Sequence, residues 1–237
     1  MPNQPRKQWI CTTLDVPGGE RVSGSPTQLM SMGVAAKNKL WDKGTSLKVR
    51  FLDGTPALHN RVMNAARSWL VEGVQLDFTV AAVGEQAQLR IAFDPNAGSW
   101  SYVGKDSLGI QPSQPTMNLG WATLDTNEED FSSVVIHEFG HALGLLHEHN
   151  HPEALIQWNR AAVYADLEGA PNFWDRATID SNVFAKFDLS KVVTTDFDKA
   201  SVMIYTIPAN WTIDGKSFMP SSKLSKGDVA TIQRLYS

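Results

Sequence analysis

The sequence predicts an α+β fold, with an α/β-like, sheet-bearing N-terminal half and a helical and irregular C-terminal half. Three observations lead there. Residues 46–52, Ser-Leu-Lys-Val-Arg-Phe-Leu, alternate apolar and polar side chains as a half-buried strand does. A helix-spaced stretch at 57–71 and a strand-like stretch at 74–80 follow, and strand–helix–strand order implies a crossover and a parallel pair. After His149 the pattern changes: Pro152 breaks the chain, and short helical stretches alternate with loops.

Taken in order, residues 1–37 are rich in Pro, Gly and Ser (Pro17-Gly18-Gly19, Ser23-Gly24-Ser25-Pro26). They read as an N-terminal extension with one short strand over 8–16. Asp53-Gly54 ends the strand at 46–52. The helix over 57–71 places Val62, Ala65, Ala66, Trp69 and Leu70 on its apolar stripe. Strands follow over 74–80 and 87–93. Residues 98–104, Gly-Ser-Trp-Ser-Tyr-Val-Gly, read either as a tight loop with one packed Trp or as the border of a cleft. A strand over 116–122 precedes the acidic run 125–130, where Asp125 or Thr126 can cap a helix and the carboxylates suit its positive end. That helix runs over 131–146, burying Val134, Val135, Phe139, Ala142 and Leu143. Helices follow over 159–167 and 172–184, a loop and tight turn over 196–205, and a loop over 208–220. The last helix spans 225–236, with Ser225 as N-cap and Asp228 three residues on, close to a capping box.

The 237 residues fit one large domain or two small ones, and 42% apolar residues suffice for a true core. A net charge of −4 and the lack of a basic cluster exclude nucleic acid and a polybasic membrane contact. No window approaches 18 apolar residues, so membrane insertion is not expected. Met-Pro-Asn-Gln-Pro-Arg-Lys has no apolar run behind its charges, so no secretory signal is visible. Action inside the cell, export by another route and a leader missing from the sequence all stay open. Cys11, the only cysteine, excludes an intramolecular disulfide and a cysteine-based zinc site.

The chemistry gathers at residues 137–149, His-Glu-Phe-Gly-His-Ala-Leu-Gly-Leu-Leu-His-Glu-His. On a helix, His137 and His141 project from one face a turn apart and can share one zinc ion. Glu138 points aside, where it can reach a water at the metal without being a ligand. Gly144 can take a backbone conformation closed to other residues, ending the helix, and His147 then returns as third ligand. Three protein ligands leave a fourth position open, as catalytic zinc requires. A core helix with incidental histidines is the plainer reading. The full spacing would arise by chance in about one in ten thousand chains of this length, which sets that reading aside.

These residues resemble the metzincin zinc endopeptidases, and within them the astacin-like group. Ser201-Val202-Met203-Ile204-Tyr205 matches the family's Met-turn, Trp100-Ser101-Tyr102-Val103-Gly104 matches a stretch common in astacins, and the segment from Leu224-Ser225 to Tyr236 is similar to their closing helix. The resemblance covers roughly residues 38–237. It implies a twisted, mostly parallel sheet with one antiparallel edge strand, an active-site helix beneath it, and a cleft between an upper subdomain (38–147) and a lower one (148–237). It further implies a zinc-dependent endopeptidase acting on protein or peptide substrates, with one catalytic zinc. Astacins usually carry two disulfides and this chain has none, which places it in a divergent, microbial, disulfide-free branch.

The resemblance also assigns roles. Tyr205 matches a tyrosine that can ligate zinc at rest and swing to stabilise the oxyanion, against the plainer reading of a phenol packed under the turn. Met203 matches the floor beneath the ligands; a thioether is a poor zinc partner beside imidazoles. Glu148 matches a residue that pairs with a freed N-terminus, with a plain structural hydrogen bond as the alternative. With three ligands supplied, His149 and His151 are expected partly exposed and off the metal. Cys11 as a thiolate on the open zinc position is the bolder reading; a small inert thiol is favoured, since no flanking pattern supports latency. Residues 206–213 hold no arginine, favouring an apolar or small residue after the scissile bond over an acidic one. No EF-hand-type loop is present, so calcium stays open. The rival function is a non-catalytic zinc-binding or adhesion module on the same fold, which has no need of Glu138 as a base.

Overall fold

The computed structural model describes residues 12–14, 35–170, 172–188, 190–193 and 196–237. Six strands form the main sheet: β1 (Thr12–Leu14), β3 (Thr45–Phe51), β4 (Leu76–Val80), β5 (Leu89–Ala92), β6 (Ser99–Tyr102) and β7 (Met117–Leu119). Two-residue strands β2 (Ala35–Ala36) and β8 (Val192–Val193) pair separately. The main sheet runs in the order β1-β6-β7-β5-β3-β4. β3 is parallel to β4 and β5, and β5 is parallel to β7, as the strand–helix–strand pattern implies. β6 reverses against β7, and β1, parallel to β6, carries the reversed direction on to that edge of the sheet. The remainder of the strand expected over 8–16, together with Cys11, lies outside the described residues.

β6 corrects the loop reading of residues 98–104. Its alternation is inverted in size: Ser99 and Ser101 are 2% and 1% exposed, while Trp100 and Tyr102 lie half-buried on the other face, edge to face at 5.9 Å.

The helices are α1 (Pro56–Ala66), α2 (Glu128–Ala142), α3 (Arg160–Leu167), α4 (Arg176–Ile179) and α5 (Lys226–Tyr236). α1 starts on the Thr55 cap with Pro56 in its first turn, where a missing N–H costs nothing. α2 starts three residues earlier than expected. Asn127, rather than Asp125 or Thr126, caps it by accepting the Asp130 N–H at 3.0 Å. The reason is Arg61 of α1. Its guanidinium donates to the carbonyls of Thr123, Leu124 and Thr126, and covers the Phe131 ring at 3.9 Å, holding 123–126 as a separate turn. The helix expected over 172–184 is shorter: Asp175 caps α4, which loosens into a π turn over Asp180–Phe184. α5 carries the complete Ser225/Asp228 capping box. No helix among the described residues is long and apolar enough to cross a membrane.

Two cores result. The larger lies between the sheet, α1, α2 and α5, with Trp69, Phe78, Phe131 and Phe139 buried, and Phe78 meeting Phe139 edge to face at 5.1 Å. Burying each such side chain contributes about 1.5–3 kcal/mol. The smaller core joins α3 and α4 to Tyr205, Ile207 and Trp211. Val202 and Met203 belong to the first core and Tyr205 to the second, so the turn at 201–205 stitches the two halves together beneath α2.

Candidate active site

α2 must end abruptly for His147 to come back to its face, and its free carbonyls must find partners where they are buried. Gly144 takes φ +93°, and its N–H returns to His141 O at 2.8 Å. Ala142 O accepts the Trp41 indole N–H at 2.8 Å, and Leu143 O accepts the Tyr236 hydroxyl at 2.6 Å. Leu145 O accepts His141 Nδ1–H at 2.9 Å. The turn that delivers His147 is therefore bonded to residues near both ends of the catalytic region and to a histidine of the helix itself. The helix stops at Ala142 rather than continuing to 146.

His137, His141 and His147 are buried, at 7%, 0% and 2% exposure, and offer ligand atoms all within 4.8 Å of one another. His137 Nδ1–H donates to Val202 O at 2.7 Å, as His141 Nδ1–H does to Leu145 O. Those carbonyls can only accept, so both rings keep a bare lone pair at Nε2. The two Nε2 atoms nonetheless face each other at 3.1 Å, and His141 Nε2 lies 3.0 Å from His147 Nε2. Converging lone pairs repel unless a cation lies between them. Two nitrogens bound at about 2.0–2.1 Å to one tetrahedral ion stand about 3.3 Å apart, close to what is seen. Burial pushes the His137 imidazole down to about 4, and burial with neighbouring histidines pushes His141 and His147 well below the ordinary range. All three stay neutral near pH 7, as metal ligation needs. The donor set fits zinc.

Glu138 is 1% exposed, one residue on from His137 and about 100° around the helix. Met203 lies under α2. A Cβ on Gly140 would collide with Met203 Sδ and stand 3.0 Å from Trp69 Cζ2, so the floor reading of Met203 agrees with its place. Tyr205 is 2% exposed, its ring 4.3 Å from that of His147 and 4.1 Å from that of His149. Glu148 is buried, its Oε1 accepting the Asp198 N–H at 2.8 Å. Burial, with Asp228 and Asp198 nearby, pushes its carboxyl up to about 8.

His149 and His151 are not partly exposed; both are 0% exposed. Lys186 is the cause. Its ammonium donates to the carbonyls of His149, His151 and Ala154 at 2.9–3.0 Å, and Asn150 Nδ2 donates to Ala185 O at 2.8 Å. Residues 149–154 are thereby folded inward. His149 Nε2–H donates to Asn182 O at 2.9 Å, and its ring packs against Tyr205. Neither histidine joins the metal cluster. Nothing in the local sequence announces this, because the cation responsible comes more than thirty residues later.

A model of the Astacin peptidase family matches residues 33–237. The chain belongs to the astacin family. Its activity is that of a zinc metalloendopeptidase, and the resemblance read from residues 137–147 and 201–205 is correct at family level. The structure of myroilysin superposes with a TM-score of 0.82 at 35% identity, covering 86% of this chain and 98% of that one. A second, crystal structure of myroilysin gives 0.70 at 31% identity, covering 98% and 92%. High choriolytic enzyme 1, a hatching enzyme zinc-protease from Oryzias latipes (Medaka fish), gives 0.60 at 17% identity, covering 87% and 98%, a likeness of fold. A search of curated protein sequences finds no match. Like its family, this astacin is zinc-dependent in class, and its three histidines form a cluster able to hold the ion.

Proposed function

We propose that the protein hydrolyses peptide bonds within protein substrates, with His137, His141 and His147 as zinc ligands and Glu138 as general base. The observation that carries this reading is the convergence of three neutral, buried imidazoles on one point, with a buried carboxylate on the same helix. Zinc, when bound, would lower the pKa of a water towards about 7 and polarise a carbonyl. Glu138 removes a proton from the attacking water as its oxygen bonds to the carbonyl carbon. It delivers that proton to the departing amine nitrogen as the C–N bond breaks, and is again a carboxylate at the end. The Val202 and Leu145 carbonyls hold His137 and His141 in one tautomer throughout.

Tyr205 is proposed to donate its hydroxyl proton in a hydrogen bond to the oxyanion that forms on the substrate carbonyl. Packing between His147 and His149 limits where its ring can go. Tyr205→Phe should lower kcat by about 10²-fold and leave zinc affinity nearly unchanged. An unchanged kcat would leave the phenol a packing role alone.

An extended peptide can bind such a site by adding a strand to a sheet edge. β1 already pairs along β6 through Thr12, Thr13 and Leu14. This supports reading residues 1–37 as a pro-segment over a catalytic domain of 38–237, divided at 147/148. Casein digestion by the full chain and by a chain lacking residues 1–32, which keeps β2 and its pairing with β8, each with and without a chelator, tests both readings. The shortened chain should cleave faster, and the chelator should silence both. Equal rates would remove the pro-segment, and chelator-resistant cleavage would remove the zinc mechanism.

A further inference from the structure

Asp228 does more than a capping box requires. It sits at the third position of α5 and is 5% exposed. The box uses its carboxylate once, to accept the Ser225 N–H at 2.8 Å. The same Oδ2 also accepts the Val202 N–H at 3.0 Å, and Oδ1 accepts the Ser201 hydroxyl proton at 2.6 Å. These two extra bonds leave the helix altogether and land on the turn beneath α2.

From there the bonds run on in one direction. Ser201 Oγ, having given its proton to Asp228, accepts the Met203 N–H at 3.0 Å. That N–H and the Val202 carbonyl belong to one peptide unit. The Val202 carbonyl accepts His137 Nδ1–H at 2.7 Å. Every donor along the path points the same way: His137 Nδ1–H to the 202–203 peptide, that peptide's N–H to Ser201 Oγ, and Ser201 Oγ–H to the Asp228 carboxylate. Hydrogen bonds aligned head to tail polarise one another, and a terminal anion strengthens each acceptor upstream. Metal-ligating histidines commonly donate their second nitrogen directly to a carboxylate or a carbonyl, which fixes the tautomer and raises ligand basicity. Here one peptide unit and one hydroxyl stand between the two. Ser201 is 2% exposed and Val202 0%, so water does not compete along the path.

We propose that Asp228 is a positioning residue of the metal site. It acts through Ser201 and the 202–203 peptide to orient the His137 imidazole and raise its basicity. The proposal rests on His137 being a zinc ligand. It gives the last helix a role at the site: a residue of the α5 capping box also sets the grip of the first histidine of α2.

The test is the rate at which the zinc-loaded full chain loses its metal to a chromogenic chelator, with thermal unfolding measured in parallel. Ser201→Ala breaks the relay at its hydroxyl and keeps the capping box; Asp228→Asn offers an amide where the carboxylate met only donors. Both should release zinc roughly tenfold faster than the unsubstituted chain, in line with other outer partners of metal ligands. Thr55→Ala, which removes the α1 cap far from the turn, should lower the melting temperature and leave zinc release unchanged. In Ser201→Ala the His137 Nδ1–H proton should exchange faster by NMR. If both relay variants melt earlier but release zinc at the original rate, Asp228 is only a cap and the proposal is overturned. If Asp228→Asn does not fold, Ser201→Ala decides alone. His137→Ala separates the two claims. Full zinc retention there overturns the ligand assignment, and the relay with it; loss of zinc there with normal release in Ser201→Ala overturns the relay alone.

Discussion

Glu138→Ala is expected to lower the turnover of protein substrates by roughly 10²–10⁴-fold, the usual worth of a positioned general base, and to leave zinc bound. His137 and His141 are each held at Nδ1 by a backbone carbonyl, of Val202 and of Leu145, so both should keep their orientation in the variant. The two properties therefore separate in one variant. Steady-state cleavage together with metal content checks this. Near-full turnover with full zinc occupancy would mean that another group removes the proton. Loss of zinc would mean that Glu138 supports the ligands instead. A binding module built on this fold would show no loss, having no turnover to lose.

Gly140→Ala sets two effects of opposite sign against each other. Alanine is favoured over glycine in a helix interior by roughly 0.5–1 kcal/mol, so propensity alone forecasts a gain. The new methyl would overlap Met203 Sδ and crowd the Trp69 ring, and overpacking a filled core costs about 1–3 kcal/mol. Methionine adapts readily. Here its backbone is tied, with Met203 N–H on Ser201 Oγ and Met203 O on the Glu148 N–H, so the turn has little room to retreat. Overpacking should win by about 1–2 kcal/mol, a fall of about 2–8 °C in melting temperature for a domain of this size. Calorimetry on the full chain reads the sign. A higher melting temperature would show that Met203 is not the rigid floor described.

The parts legible in the sequence are those where one residue type at one spacing does the chemical work. The His137–His141–His147 string converges on one point, and the Ser225/Asp228 box is formed as read. Elements set by distant partners were hidden. β6 carries serines inward and aromatics outward, so a search for apolar alternation finds a loop. β2 and β8 are two residues each and exist only because they meet. Asn127 is one of several cap-capable residues in a row, and Arg61, more than sixty positions away, makes the choice. Lys186 likewise buries His149 and His151. Asp228 was visible as a cap, but its bonds to Ser201 and Val202 appear only once the turn and α5 are in contact.

Zinc per chain, measured on the purified 237-residue chain and on its His147→Ala variant, tests the central claim most directly. Three convergent imidazoles predict one zinc in the unsubstituted chain and a large loss of occupancy once His147 is removed, with casein cleavage lost in step. A His147→Ala protein that keeps its full complement of zinc, or that cleaves casein without it, would contradict the account.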